Sequence, residues 1–154
     1  MAARVIHFGW DDCYRVPVFR TIGLEVWEAE SLDELSFDLQ RGEKVDAVVL
    51  SEDDRETTER AAAVTRQHST VPLILFRRFH DGLDESRFDC VFAPLVPPEQ
   101  WLLQAAEMIA ARHAIQVESA RLLCECRALV EKSQRLRARS RAEGKSNVNL
   151  DGSW

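Results

Sequence analysis

Five short apolar stretches recur along the first two thirds of the chain, each followed by a segment with helical spacing. Arg4-Val-Ile-His-Phe8 is β-prone and ends at the turn Gly9-Trp-Asp-Asp12. Leu24-Glu-Val-Trp-Glu28 alternates as a half-buried strand does. Asp46-Ala-Val-Val-Leu50, Val71-Pro-Leu-Ile-Leu-Phe76 and Phe88-Asp-Cys-Val-Phe92 are near-continuous apolar runs, the pattern of strands covered on both faces of a parallel sheet. Helices are predicted over Asp12–Ile22, with Pro17 early in it or kinking it, and from Ser31 to about Arg41-Gly42. Ser31 and Glu34 there have the spacing of a capping box. A further helix covers Glu56–His68, and Pro97-Pro98 opens a long one from near Glu99. Strands alternating with helices predict an α/β fold: a flavodoxin-like, doubly wound five-stranded parallel sheet with right-handed crossovers and an extended C-terminal helix.

That last helix has no Pro or Gly until Gly144. Trp101, Leu102, Ala105, Met108 and Ile109 form the stripe expected to pack on the sheet. Beyond it Ile115, Leu122, Leu129 and Leu136 recur every seven residues. With these at heptad position d, position a holds Ser119, Cys126 and Ser133, with Arg112 and Ser140 at the ends, and Leu123 and Val130 at e widen the apolar face. The segment is expected to pair with a second copy or with another protein; folding back on the domain or fraying are the alternatives. The organisation is therefore a domain over 1–113, a helix and possible coiled coil over 114–144, and a polar, disordered tail over 145–154.

Charge divides along the same line. The 154 residues carry a formal charge of −6, yet residues 1–111 hold 11 Lys/Arg against 21 Asp/Glu, and residues 112–154 hold 9 against 5. The overall acidity argues against the whole surface being a nucleic-acid footprint. The basic end around Arg135-Leu-Arg-Ala-Arg-Ser-Arg141 reads first as a solvated helix end, with a contact for an acidic protein or a nonspecific nucleic-acid contact, which no aromatic platform accompanies, as the alternatives. With 45% apolar and 30% charged residues the composition is that of an ordinary soluble protein. No apolar run reaches the roughly 18 residues a membrane span needs, and no signal peptide is read at Met1, so a cytoplasmic protein is expected.

Candidate chemistry is sparse. Cys124 and Cys126 point about 200° apart around a helix, and with Cys13 and Cys90 they read as reduced thiols. His7, His68, His80 and His113 have no zinc-ligand spacing, and no metal or cofactor is expected. Gly9-Trp-Asp-Asp lacks the further glycines of a dinucleotide turn, and no Ser-His-Asp or Cys-His set is readable from spacing. No enzymatic activity is expected.

Over residues 3–113 the element order and three local motifs resemble the receiver domain of two-component response regulators, the CheY-like fold. Asp46-Ala-Val-Val-Leu-Ser51 resembles the third strand, which in receivers runs into the phosphoacceptor Asp. Val71-Pro-Leu-Ile-Leu-Phe-Arg77 resembles the fourth, which normally ends in Thr or Ser. Cys90-Val-Phe-Ala-Pro-Leu95 with Pro98-Glu99 resembles the fifth strand's Lys-Pro-Phe and the opening of the last helix.

The resemblance implies a Mg²⁺-binding acidic pair after the first strand, an acceptor Asp, a hydroxyl and a Lys. In this chain Gly9 and Trp10 stand at the acidic pair, with Asp11 and Asp12 displaced, Ser51 at the acceptor, Arg77 at the hydroxyl and Ala93 at the Lys. The chain thus looks like an atypical receiver, or pseudo-receiver, without Asp phosphorylation. It is expected to act through a protein partner of a signalling pathway and to form a homodimer through Ile115, Leu122, Cys126, Leu129 and Leu136. The alternative is a phosphorelay receiver using a displaced acceptor, Asp53 or Asp54, with Mg²⁺. Only Phe79–Phe88 is left for the fourth helix, which is expected to be short or absent, removing part of the usual receiver dimer surface.

Overall fold

The computed structural model describes residues 2–79 and 82–148, with side chains as far as Ala142. Strands β1 (Arg4–Phe8), β2 (Glu25–Ala29), β3 (Ala47–Ser51), β4 (Leu73–Phe76) and β5 (Cys90–Phe92) form one sheet. Its order is β2-β1-β3-β4-β5 and all pairs are parallel. Helices α1 (Arg15–Thr21), α2 (Leu32–Gln40), α3 (Arg55–His68) and α4 (Pro98–Val148) complete the α/β architecture expected from the sequence.

The chain divides after Ala114 into two compact units. In the first, each sheet face is covered. Val5, Ala47, Val49, Ile74 and Phe76 pack with Val16 and Phe19 of α1 and with Trp101, Ala105 and Ile109 of α4. Ile6, Val48, Leu50, Leu73 and Leu75 pack on the other face with Leu35 of α2 and Ala61 and Ala62 of α3. Alternate residues of β1, β3 and β4 thus go to opposite cores, which is why these strands are apolar throughout. The Trp101 ring lies 5.2 Å from Phe19 and 5.0 Å from Phe76, and Phe76 stacks on Phe92 at 5.0 Å. These aromatic contacts fix the first turns of α4 against β4 and β5. Asp46 Oδ2 accepts from the Arg4 amide at 2.8 Å and lies 3.0 Å from His113 Nδ1, tying the start of β3 to β1 and α4.

Some boundaries differ from the sequence expectation. Helix α1 starts at Arg15, not Asp12, because Tyr14 is left-handed at φ 54° and the Asp11 carboxylate caps the helix. Pro17 falls in its first turn, where a missing N–H leaves no bond unmade, so there is no kink. Between β4 and β5 the described residues form one 3₁₀ turn, Glu85–Arg87, and no fourth helix; His80 and Asp81 lie outside the described residues. Helix α4 runs through Gly144 to Val148, four residues beyond the expected end. One glycine weakens a helix by about 1 kcal/mol without ending it. The expected disordered tail is corrected over 145–148, which are helical, and 149–154 lie outside the described residues.

The second unit, from Ile115, is described by one helix. Ile115, Leu122, Leu123, Leu129, Val130 and Leu136 are all exposed on it. Arg121 bridges Glu118 and Glu125 at 2.6 Å each. Among the described residues no helix is long and apolar enough to cross a membrane.

Candidate functional site

Sites on this fold lie at the carboxyl ends of the strands. Ser51 ends β3 and pairs in register with Phe76, so Glu52 and Arg77 are one rung further on. The ladder continues there, with the Glu52 amide donating to the Phe76 carbonyl at 2.9 Å and the Arg77 amide to the Phe92 carbonyl at 2.9 Å. Both side chains turn inward. Glu52 Oε2 accepts from Arg77 Nε at 2.8 Å and from the amides of Arg78 and Phe79 at 2.6 and 3.1 Å. A second guanidinium nitrogen of Arg77 donates to Glu85 of the 3₁₀ turn. Burial alone would push the Glu52 carboxyl up; the Arg77 hydrogen bond and the two amides outweigh it and hold it below the usual carboxylate range. The pair fills the space beside Ser51 and pins the loop after β4.

Ser51 is 4% exposed, and its Oγ lies 2.8 Å from His7 Nε2 of β1. Burial pushes the His7 imidazole below its ordinary value, with Asp11 and Glu28 opposing the shift. A Ser-His contact of this kind satisfies two buried polar groups. The cavity it borders, shared with Arg15, Glu52 and Arg77, has a volume of about 40 Å³, room for one or two waters and not for a substrate. Arg15, 4% exposed, lays its guanidinium 4.2 Å from the Phe76 ring centroid.

The β1–α1 loop closes the other side. Gly9 has φ 101°, and a Cβ there would sit 2.5 Å from the Ser51 carbonyl oxygen. No acidic side chain fits this position without moving the β3 end. Trp10 is 76% exposed. Both Asp11 oxygens accept from helix α1, at 2.8 Å from the Arg15 amide and 2.9 Å from the Val16 amide. Asp12 lies between two guanidiniums, 4.0 Å from Arg15 and 3.9 Å from Arg78. Ala93 is exposed after β5, followed by Leu95 with φ 60°.

Asp54 caps α3, accepting from the Thr57 amide at 2.8 Å and the Thr57 hydroxyl at 2.7 Å, and these bonds hold its carboxyl below the usual range. Asp53 is exposed and lines a groove of about 600 Å³ with Gly9, Trp10, Asp11 and Tyr14.

The donors at the strand ends do not fit the Mg²⁺ of a receiver. The Asp11 carboxylate is used by α1, Asp12 faces two cations, and the Glu52 carboxylate is taken up by the buried Arg77 guanidinium. Among the described residues no three His, Cys, Asp or Glu side chains are grouped as a metal site would need. The structure brings Gly9, Ser51 and Arg77 to one place, with Asp12 beside them. Reading the sequence alone missed His7, Arg15 and the pairing of Glu52 with Arg77. The last was findable: each follows an apolar strand by one residue, and adjacent parallel strands place them side by side. The five positions expected at an interface, Ile115, Leu122, Cys126, Leu129 and Leu136, lie exposed along the second unit.

No family model and no curated protein sequence matches the chain. Solved structures do. The receiver domain of a sensor histidine kinase from Pseudomonas aeruginosa PAO1, with magnesium coordinated in its active site cleft, aligns with 71% of this chain and 99% of its own. The identity is 12% and the TM-score 0.55. The signal receiver domain of an HD domain-containing protein from Pseudomonas fluorescens Pf-5 covers 75% of this chain and 92% of its own, at 11% identity and TM-score 0.57. A chain joining a yeast Spc42 trimeric coiled coil to another structure covers 89% of this chain and 97% of its own, at 14% identity and TM-score 0.58. At such identities the likeness is one of fold: a five-stranded parallel sheet in receiver order, the fold of response-regulator receiver domains.

Proposed function

We propose that the chain is an atypical receiver-like signalling protein that lacks the Asp phosphorylation site, acts through protein–protein contacts without catalysis, and self-associates through α4. The observation that carries this is the buried Glu52–Arg77 pair beside Ser51, in the place where a receiver needs an acceptor carboxylate and a metal. A serine hydroxyl cannot form the acyl phosphate that a carboxylate does. With Ala93 after β5, no lysine there offsets charge developing on a phosphoryl group. The partner in this reading is a protein of the same pathway, not nucleic acid or membrane. The exposed heptad face of the second unit supports self-association.

Phosphorylation at a displaced acidic residue would have to run through Asp53, because both Asp54 oxygens are engaged at the α3 cap. Incubation with acetyl phosphate and Mg²⁺, or with beryllofluoride and Mg²⁺, tests this. Trp10 fluorescence and the intact mass are expected to stay unchanged. A saturable fluorescence change with gain of one phosphoryl group, abolished by Asp53→Asn, would overturn the proposal.

A further inference from the structure

Resting on the self-association proposed above, we propose that α4 pairs with a second copy of itself in antiparallel orientation, in one register centred between Arg127 and Ala128. The heptad residues are exposed, and what decides their pairing is how sizes and charges are distributed along the seam. Every d position is large (Ile115, Leu122, Leu129, Leu136), and the a position that follows each of them is small (Ser119, Cys126, Ser133, Ser140). An antiparallel pair sets a against d in each layer. In the proposed register Ser119 faces Leu136 of the second copy, Cys126 faces Leu129, Ser133 faces Leu122 and Ser140 faces Ile115. Each layer then holds one small and one large side chain, which packs without a void or a clash.

The flanking positions follow the same register. At g, Glu118 meets Arg139 of the second copy and Glu125 meets Lys132, and symmetry repeats both pairs. At e, Leu123 meets Val130 and extends the apolar seam. Glu118 and Glu125 already bind Arg121 on their own helix, yet remain more than half exposed and open to a second cation. A parallel pair does the reverse. It stacks Ser119 on Ser119 and Ser133 on Ser133, underfilling those layers, and sets Glu118 and Glu125 against Leu123 and Val130. It also brings Lys132 against Arg137, a like-charge contact. The acidic g positions of the first half, Glu118 and Glu125, and the basic g positions of the second, Lys132 and Arg139, therefore meet only when the helices run in opposite directions.

The test uses the full chain with Cys13, Cys124 and Cys126 replaced by Ser and one spin label introduced through Ser140→Cys. Serine at 126 matches the other a positions, and Cys90 is buried and unlabelled. Sedimentation equilibrium gives the mass, and pulsed electron resonance gives the distance between labels. A dimer with labels about 38 Å apart, from the 1.5 Å rise per residue, is the expected result. A dimer with labels within about 15 Å means parallel helices and overturns this inference while leaving self-association intact. A trimer overturns it as well. A monomer overturns both the inference and the self-association beneath it. In the unlabelled chain Glu118→Arg and Arg139→Glu should each weaken the dimer about tenfold, and the double variant should recover most of that loss. Independent, additive losses would contradict the register.

Discussion

At the strand ends of the first unit, Glu52 meets Arg77 and two amides, and Ser51 meets His7. Along the second unit Ile115, Leu122, Leu129 and Leu136 stay exposed, although they are the kind of residue a core would take. The first arrangement is filled by the chain's own side chains, and the second leaves an apolar face open to solvent. Under the proposed function the interacting surface is the helix face and not the filled strand ends. The difference also separates the experiments, because substitutions in the pocket should read out in folding and substitutions on the helix in association.

The largest effect on folding is expected from Arg77→Ala. It leaves the Glu52 carboxylate buried without its cation, and urea unfolding should show a loss of about 3–5 kcal/mol. Replacing both, Glu52→Leu with Arg77→Met, should cost less than Arg77→Ala alone, because no charge is then stranded. An Arg77→Ala variant as stable as the parent would mean that the pair does not seal the pocket. Gly9→Ala comes next. At φ 101° and with a Cβ 2.5 Å from the Ser51 carbonyl oxygen, it should destabilise by about 2–4 kcal/mol. Neither change should alter the oligomeric mass of the folded protein.

A smaller effect belongs to His7. Burial holds its folded-state pKa below that of the unfolded chain, near 6.5, so the unfolded state binds a proton first as pH falls. Stability is therefore full above about pH 6.5 and declines below it, with a limiting slope of about 1.4 kcal/mol per pH unit, until the folded imidazole itself protonates. His7→Asn should flatten the decline between about pH 6.5 and 5.5, a range above that in which the carboxylates titrate. Equal slopes in parent and variant would show that His7 is not held neutral.

Much of the fold was legible because its strands are buried on both faces and so read as apolar runs, with β3 and β4 the clearest. The Ser31 cap of α2 was equally plain, and its Oγ accepts from the Glu34 amide at 3.2 Å. Helix α1 was read too long because a left-handed Tyr14 leaves no mark in hydrophobic spacing. The substitutions at Gly9, Ser51, Arg77 and Ala93 were visible by position, but what replaced the missing chemistry was not. His7 and Ser51 are 44 positions apart, and only the pairing of β1 with β3 brings them together. The Glu52–Arg77 contact was within closer reach, since each residue follows an apolar strand by one position and β3 pairs with β4.

Sedimentation equilibrium of the full chain, with and without acetyl phosphate and Mg²⁺, beside a Leu122→Glu/Leu129→Glu variant, tests both halves of this comparison at once. A dimer of unchanged affinity in both conditions, reduced to a monomer by the two substitutions, is the expected result. A monomer that dimerises only when the phosphodonor is added would contradict it.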